Sequence, residues 1–259
     1  MRQAVFFIPA AERGRLASLF PDQNGLIRSC LDGRMGQAYG DHPFAPGAVL
    51  LCNGDFACFG GNILTPAAKQ LAGKLALEKN RTWLIPAQMG WREHIDAWQP
   101  NSIIASTRYA MEARAAFDKA KLAEIVQTLP DDYVLQEINA PLYEKAMAEE
   151  WCRDWCSQFS DAADYASRGM GVAAMKNGEL VAGASSYVVY DGGIEIQTDT
   201  RLDMRNRGLA AACCAKLILD CLVKGVHPSW DAANAVSFHL AQKLGYTLKN
   251  PYDIWEVSF

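Results

Sequence analysis

The stretch from Gly193 to Tyr246 constrains this chain more than any other, because the period of its apolar residues changes partway along and a charged turn marks the change. Ile194, Ile196 and Thr198 alternate with Glu195, Gln197 and Asp199, the period of a strand with one buried face. Leu209, Cys213, Leu217 and Cys221 then recur every fourth residue, one stripe of an amphipathic helix, and Gly225 is a natural stop beyond it. The turn between them carries Arg201, Arg205, Arg207 and Gly208. Such a junction suits an anion. The first N–H groups of a helix have no intrahelical partner, and the macrodipole favours negative charge beside them. Gly208 lets a ligand reach the backbone with no Cβ in the way, and Ala210 keeps the next turn small. Arg205 and Arg207 offer charge-assisted donors, so the expected ligand is a phosphate or pyrophosphate.

Arg205-x-x-Gly208-x-Ala210, set between a strand and a helix, resembles the Gln/Arg-x-x-Gly-x-Gly/Ala pyrophosphate loop of the GNAT superfamily, the acyl-CoA-dependent N-acyltransferases. The sequence from His227 to Asp231 reads as the next short strand. Asn234-x-x-Ser237-x-x-Leu240-Ala241-x-Lys243-x-Gly245-Tyr246 is then similar to the second signature of that superfamily. The two signatures stand in the right order, about one helix and one strand apart, and the resemblance covers roughly the last half of the chain.

The resemblance implies an α/β (α+β) fold: a mixed, mostly antiparallel sheet flanked by helices, preceded by a smaller α/β N-terminal domain. It implies acetyl-CoA as co-substrate and no metal. The pantetheine arm would lie along Ile196, Gln197 and Thr198, and Arg205, Asn206, Arg207, Gly208, Leu209 and Ala210 would hold the pyrophosphate. Asn234 and Ser237 would flank the cofactor's other side. The implied reaction is direct attack of a primary amine of a small molecule on the thioester in a ternary complex. It needs a base, a polarised carbonyl and an acid for the thiolate. Glu195 is the candidate base, with Glu137 and Asp199 as weaker options.

One position departs from the pattern. Where many members carry a tyrosine that protonates the thiolate, this chain has Ala241, and Tyr246 reads as a core residue. The alternative is therefore a catalytically silent CoA-binding or sensor protein of the same fold. A third reading is an unrelated phosphate-binding α/β protein for ATP or NAD, but neither a Walker loop nor a Gly-x-Gly-x-x-Gly is present. Cys213 and Cys214 fall inside the helix, a poor place for a nucleophile.

Composition narrows the class further. At 259 residues the chain buries a core easily, and 50% hydrophobic with 21% charged residues is a globular balance. A net charge of −4 lacks the basic footprint of a nucleic-acid binder and leaves room for a cationic substrate. The eight cysteines sit mostly in apolar or helical contexts without a Cys-x-x-Cys pair, as free thiols in a reducing cytoplasm do. Cys152 and Cys156 could share a ligand, but none of the four histidines lies near them in sequence, so no zinc site is expected. The apolar run from Ala4 to Ala11 is interrupted by Pro9 and far too short to span a bilayer. The expectation is a cytoplasmic monomer or homodimer with no membrane or nucleic-acid partner.

The expected domains are 1–130, an α/β unit, and 131–259, the GNAT-like unit. In the first, Leu26–Leu31 reads as a helix, Ala48–Cys52 and Phe56–Phe59 as a hairpin at Asn53-Gly54-Asp55, and Pro66–Leu77 as a helix with Leu71, Leu75 and Leu77 inward. Trp83–Pro86 and Ile103–Thr107 read as strands, Trp91–Trp98 as a short helix, and a further helix ends at Leu129 before Pro130. No internal repeat is visible. Members with such an extra half often carry a degenerate second copy of the fold, which implies an acceptor cleft between the halves. Asp41-His42 and Trp91-Arg92-Glu93-His94 hold its polar candidates, although they read equally as a surface turn and a solvated helix face. In the second half, Tyr133–Ile138 and Met170–Lys176 read as strands, Leu142–Phe159 and Asp161–Arg168 as helices, and Asn177-Gly178 as a hairpin turn leading to Leu180–Tyr190. Tyr252–Phe259 closes the sheet.

Overall fold

The computed structural model describes residues 5–65, 67–86, 90–97, 99–113 and 117–259, so Ala4, Pro66 and Trp98, which bound three of the expected segments, lie outside it. The chain divides into two compact units, Met1–Arg108 with Pro251–Phe259, and Tyr109–Asn250. The division does not fall at residue 130. The helix ending before Pro130 belongs with the second unit because it packs on that unit's long helix, and the last residues of the chain return to the first.

The first unit runs β1 (Phe6–Phe7), α1 (Gly25–Leu31), β2 (Gln37–Gly40), β3 (Ala48–Asn53), β4 (Phe56–Gly61), α2 (Ala68–Glu78), β5 (Arg81–Pro86), α3 (Trp91–Asp96) and the start of β6 (Ser102–Ala113). β1 to β4 pair antiparallel in sequence order, and β5 joins β4 in parallel after the α2 crossover. Residues 255–258 then pair antiparallel with β5, from Trp255 opposite Leu84 to Ser258 opposite Arg81. The hairpin turns at Gly54-Asp55, with Gly54 at φ 56°. Leu71 and Leu75 are fully buried, as their spacing demands, but Leu77 is 83% exposed, since two residues of helix turn it to the far side of Leu75. Trp91 stacks on Phe59 at 4.5 Å inside this core.

The second unit continues with α4 (Lys119–Gln127), β7 (Val134–Glu137), α5 (Ala140–Ala148), α6 (Ala162–Arg168), β8 (Gly171–Lys176), β9 (Glu179–Tyr190), β10 (Gly193–Thr200), α7 (Leu209–Lys224), β11 (His227–Ser229), β12 (Asp231–Ala232), α8 (Ala235–Leu244) and β13 (Tyr246–Ser258). β7 to β10 pair antiparallel in sequence order, and β11 joins β10 in parallel after the α7 crossover. The Asn177-Gly178 turn has both residues at positive φ, 51° and 80°, as a tight hairpin requires. Strand order and strand direction over β7–β11 repeat those over β1–β5, and the crossover helix falls at the same point in each. The resulting fold is mixed α/β, with antiparallel pairing dominant and helices on the flanks.

The expected helix from Leu142 to Phe159 is shorter than its apolar pattern suggests. α5 ends at Ala148, and Arg153–Trp155 form a single 3₁₀ turn. That break carries Trp155 onto the sheet, where it is fully buried over Gly183. Its indole N–H donates to Asp199 Oδ2 at 3.1 Å, and Gln197 Nε2 donates to the same oxygen at 2.9 Å. Burial, opposed by these two hydrogen bonds, leaves the Asp199 carboxyl titrating above its ordinary value. α7 covers the opposite face with nine buried residues, Leu209, Cys213, Leu217 and Cys221 among them, as the four-residue stripe implies.

Two outcomes follow from this packing. A Cβ at Gly183 would stand 2.5 Å from the Trp155 ring. Gly183→Ala should therefore cost about 1–3 kcal/mol of stability, read from urea midpoints; an unshifted midpoint would show that the ring yields freely. A carboxyl with a raised folded pKa holds its proton more tightly in the folded state. Its contribution to stability falls as pH rises from the unfolded value of 3.8 through the folded one. Asp199→Asn keeps an oxygen to accept both donors, so it should flatten that decline and be at least as stable as wild type at pH about 7. Parallel pH-dependent curves would remove Asp199 as the cause.

Candidate functional site

The pairing of β10 with β11 covers only Gly193–His227, Ile194–Pro228 and Glu195–Ser229. Beyond Ser229 the chain is drawn to a different strand. The Trp230 carbonyl accepts from Met111 N–H at 3.2 Å, and Asp231 and Ala232 pair with Ala110 and Tyr109 of β6. Among the described residues no strand takes β11's place, so β10 keeps an open edge from Ile196 to Thr200, about 13 Å of extended backbone. At the same point the β9 register slips. Glu195 faces Val188 while Ile196 faces Ser186, which leaves Tyr187 as the extra residue of a bulge. Gly193 is required here because any Cβ would enter the Tyr190 ring, whose hydroxyl is hydrogen-bonded to Ser229 Oγ.

Glu195 stands at both irregularities, where β11 leaves and where β9 bulges, and it is 6% exposed. The expected alternation of buried and solvated residues does not hold along β10. Gly193 to Ile196 are all buried and Gln197 to Thr200 half-buried, because both faces of the sheet are covered. Of the weaker base candidates, Glu137 lies on edge strand β7, three strands away, beside Lys224. Asp199 is four residues along β10 from Glu195, about 13 Å, and is held by Trp155 and Gln197.

The open edge leads into the phosphate-loop sequence. Arg201 is tied to Glu179 and Asp203, each at 2.8 Å, and serves the loop's shape. Arg205 is exposed and donates a long hydrogen bond to the Thr200 carbonyl at 3.3 Å. Arg207, also exposed, is steadied by the Tyr133 hydroxyl at 3.4 Å and the Asp203 carbonyl at 3.3 Å. Asn206 and Gly208 both adopt left-handed backbone, φ 62° and 78°. Gly208 is the N-cap of α7, no side chain caps the helix, and a Cβ built on Gly208 meets no atom within 4 Å. The backbone at the start of α7 is thus approachable, and its N–H groups at Leu209 and Ala210 fall where an α-helix provides no internal acceptor. These residues fit a pyrophosphate.

Asn234 and Ser237 have local partners. Asn234 Oδ1 caps α8 by accepting Ser237 N–H at 3.0 Å, and Ser237 Oγ accepts the Trp230 indole N–H at 3.1 Å. The Asn234 amide N–H₂ and the Ser237 hydroxyl hydrogen remain as donors. Ala241 is fully buried. Tyr246 is a core residue whose hydroxyl donates to the Pro228 carbonyl at 2.8 Å, and burial raises its pKa far above the usual phenol range. The sequence missed Trp155 as the residue that closes the other face of β10. Its only visible signal was the Trp151–Trp155 spacing, and the two rings do meet edge to face at 5.3 Å.

No group of three or more His, Cys, Asp or Glu residues able to hold a metal occurs among the described residues. Cys152 and Cys156 are buried, and desolvation pushes both thiols up to about 12, which keeps them protonated and poor ligands. No helix among the described residues is long and apolar enough to cross a membrane. In the first unit, the connection equivalent to the phosphate loop reads Asn62-Ile63-Leu64-Thr65-Pro66-Ala67, without arginine or glycine. His94 of α3 hydrogen-bonds the Ile63 carbonyl there at 2.7 Å. Asp41 and His42 accept backbone N–H groups of their own turn, those of Gly47, Ala48, Phe44 and Ala45.

Comparison with known proteins identifies relatives of the whole fold. A GCN5-related N-acetyltransferase-like protein of Streptococcus suis 89/1591 is 37% identical, with 96% of this chain and 99% of that one covered at a TM-score of 0.87. The uncharacterized N-acetyltransferase YdfB of Bacillus subtilis (strain 168) is 28% identical over 151 residues, 55% of each chain, so the match spans about half the length of that curated relative. A tandem GNAT protein from the clavulanic acid biosynthesis pathway shares the fold over 98% of both chains, with a TM-score of 0.55 at 12% identity. The family model described as GNAT acetyltransferase matches residues 17–255, across both units, and the chain belongs to that family.

Proposed function

We propose that the protein transfers an acetyl group from acetyl-CoA to a primary amine of a small molecule, by direct attack within a ternary complex. The observation that carries this reading is the open edge of β10 running into the uncapped, left-handed start of α7. Family membership supports acyl transfer in general, and the family generally uses acetyl-CoA. Backbone groups of Ile196, Gln197 and Thr198 offer hydrogen bonds to an extended amide-bearing arm. Arg205, Asn206, Arg207, Gly208, Leu209 and Ala210 offer backbone and guanidinium donors to the phosphates. Asn234 and Ser237 face the same ligand with their remaining donors.

The thioester carbonyl then falls beside the bulge, where Glu195 is the carboxylate in reach. It takes the proton that the attacking amine loses, directly or through a water. The thiolate is a tolerable leaving group, and with Ala241 in place of a tyrosine it departs without a phenolic acid. That substitution favours a second reading, a CoA-binding protein without turnover. The first unit repeats the strand order of the second but lacks the loop chemistry, so we assign it to acceptor recognition rather than to a second cofactor. A cytoplasmic location suits this chemistry and the free thiols.

Calorimetric titration of the full chain with acetyl-CoA, CoA, ATP and NAD tests the cofactor. One acetyl-CoA or CoA site per chain is expected, lost in a folded Gly208→Trp variant whose ring covers the start of α7. Unchanged affinity in that variant would displace the ligand from the loop. Glu195→Gln should lower turnover on an accepted amine by about 10²–10⁴-fold while leaving acetyl-CoA affinity unchanged. Wild-type rates at every pH would take Glu195 out of the mechanism, and binding without turnover on any amine would favour the silent reading.

A further inference from the structure

The fork between β10 and β11 closes at a rung that sets a second polar group beside Glu195. Ser229 is the last residue of β11 and lies opposite Glu195 in the parallel register. Residues paired across a ladder project to the same face, and so do residues two apart on one strand, so Ser229, Glu195 and Gly193 share one face of the sheet. The Tyr190 ring lies over Gly193 on that face, in the space any Cβ would enter, and its hydroxyl is hydrogen-bonded to Ser229 Oγ. Tyr190 is 4% exposed and Glu195 6%, whereas Ser229 is half-buried. The ring is held in place by its packing, and the hydroxyl it clasps is the one a ligand can reach.

That hydroxyl has capacity left. A serine offers one donor and two acceptor positions, and Tyr190 is the one side-chain partner of Ser229 among the described residues. The phenol is the more acidic of the two hydroxyls and donates, which leaves the Ser229 proton for another acceptor. An arm that takes the place β11 vacates begins one strand rise, about 3.3 Å, beyond Ser229. The acetyl-transfer reading, on which this inference rests, puts the thioester there, at the closed end of the fork. The geometry points to Ser229 as a catalytic residue, whose hydroxyl donates a hydrogen bond to the thioester carbonyl oxygen. As the amine nitrogen bonds to the carbonyl carbon, the π pair moves onto that oxygen, and the donor stabilises it there while Glu195 takes the amine proton. When the carbonyl re-forms, the C–S bond breaks and its pair leaves with sulfur. Ser229 keeps its proton throughout, and Tyr190 is a positioning residue that acts through it.

Infrared difference spectra of acetyl-CoA, isotope-labelled at its carbonyl carbon and bound to the full chain, read this hydrogen bond without turnover. The carbonyl stretch should fall below its value in solution. Ser229→Ala should lose most of that fall while binding acetyl-CoA with wild-type affinity by calorimetry. Ser229→Thr keeps a hydroxyl and should retain the fall; Tyr190→Phe keeps the ring over Gly193 but releases Ser229, and should lose part of it. On an accepted amine, Ser229→Ala should lower kcat by about 10²–10³-fold with little change in KM for acetyl-CoA, and Ser229→Thr should recover most of the rate. An unchanged stretch in a folded Ser229→Ala variant, whatever its rate, would overturn the proposal, as would a Ser229→Thr variant that behaves like the alanine one. Failure of the wild type to bind acetyl-CoA would instead strike the acetyl-transfer reading, and this role with it.

Discussion

The separation of β11 from β10 after Glu195 is the constraint on which the second unit's chemistry rests. Two parallel strands that stayed together would satisfy each other's backbone groups along their full length. Here β6 captures the chain at Asp231 and Ala232, and the Trp230 indole is anchored on Ser237, so among the described residues no strand pairs with that edge of β10 beyond Glu195. The cost of an open edge is met only where something else supplies the missing hydrogen bonds. The features around it cooperate. The bulge at Tyr187 falls opposite the step from Glu195 to Ile196, Gly193 admits the Tyr190 ring that braces Ser229, and the Tyr246 hydroxyl holds the Pro228 carbonyl. Gly208 then turns the chain into α7 without covering its first N–H groups.

The first unit shows the same strand plan put to a different use. Its connection from β4 to α2 carries no arginine or glycine, and Pro66 has no N–H to give. Its aromatic α3 is packed inward, Trp91 on Phe59 and His94 on the Ile63 carbonyl. A scaffold whose sheet order survives while its loop chemistry changes keeps stability and frees the loop for other work.

Much of the second unit could be read from its residues because local rules and tertiary demands agree there. Asn177-Gly178 needs positive φ, the four-residue stripe of α7 needs one buried face, and Gly208 takes the left-handed backbone from which α7 starts. The repeat was invisible for the opposite reason. Strand order is a property of long-range pairing, and β1–β5 share it with β7–β11 without sharing side chains. Local pattern also misled where burial came from both sides. Glu195 reads as a solvated residue by alternation, but two covered faces make it a buried carboxylate. The run from Leu142 to Phe159 keeps helical spacing, yet the docking of Trp155 over Gly183 ends the helix at Ala148.

The assignment of Pro251–Phe259 to the first unit bears on how the chain is made. Trp255 to Ser258 hydrogen-bond to β5, yet they leave the ribosome only after the whole of the second unit has been translated. Until then β5 has one strand neighbour and one bare edge, a template for any extended segment nearby. The first half of the chain to be synthesised is thus the last to close its sheet. That closure spans some 170 residues from β5 to Trp255, and pairings of such long sequence separation form slowly as a rule.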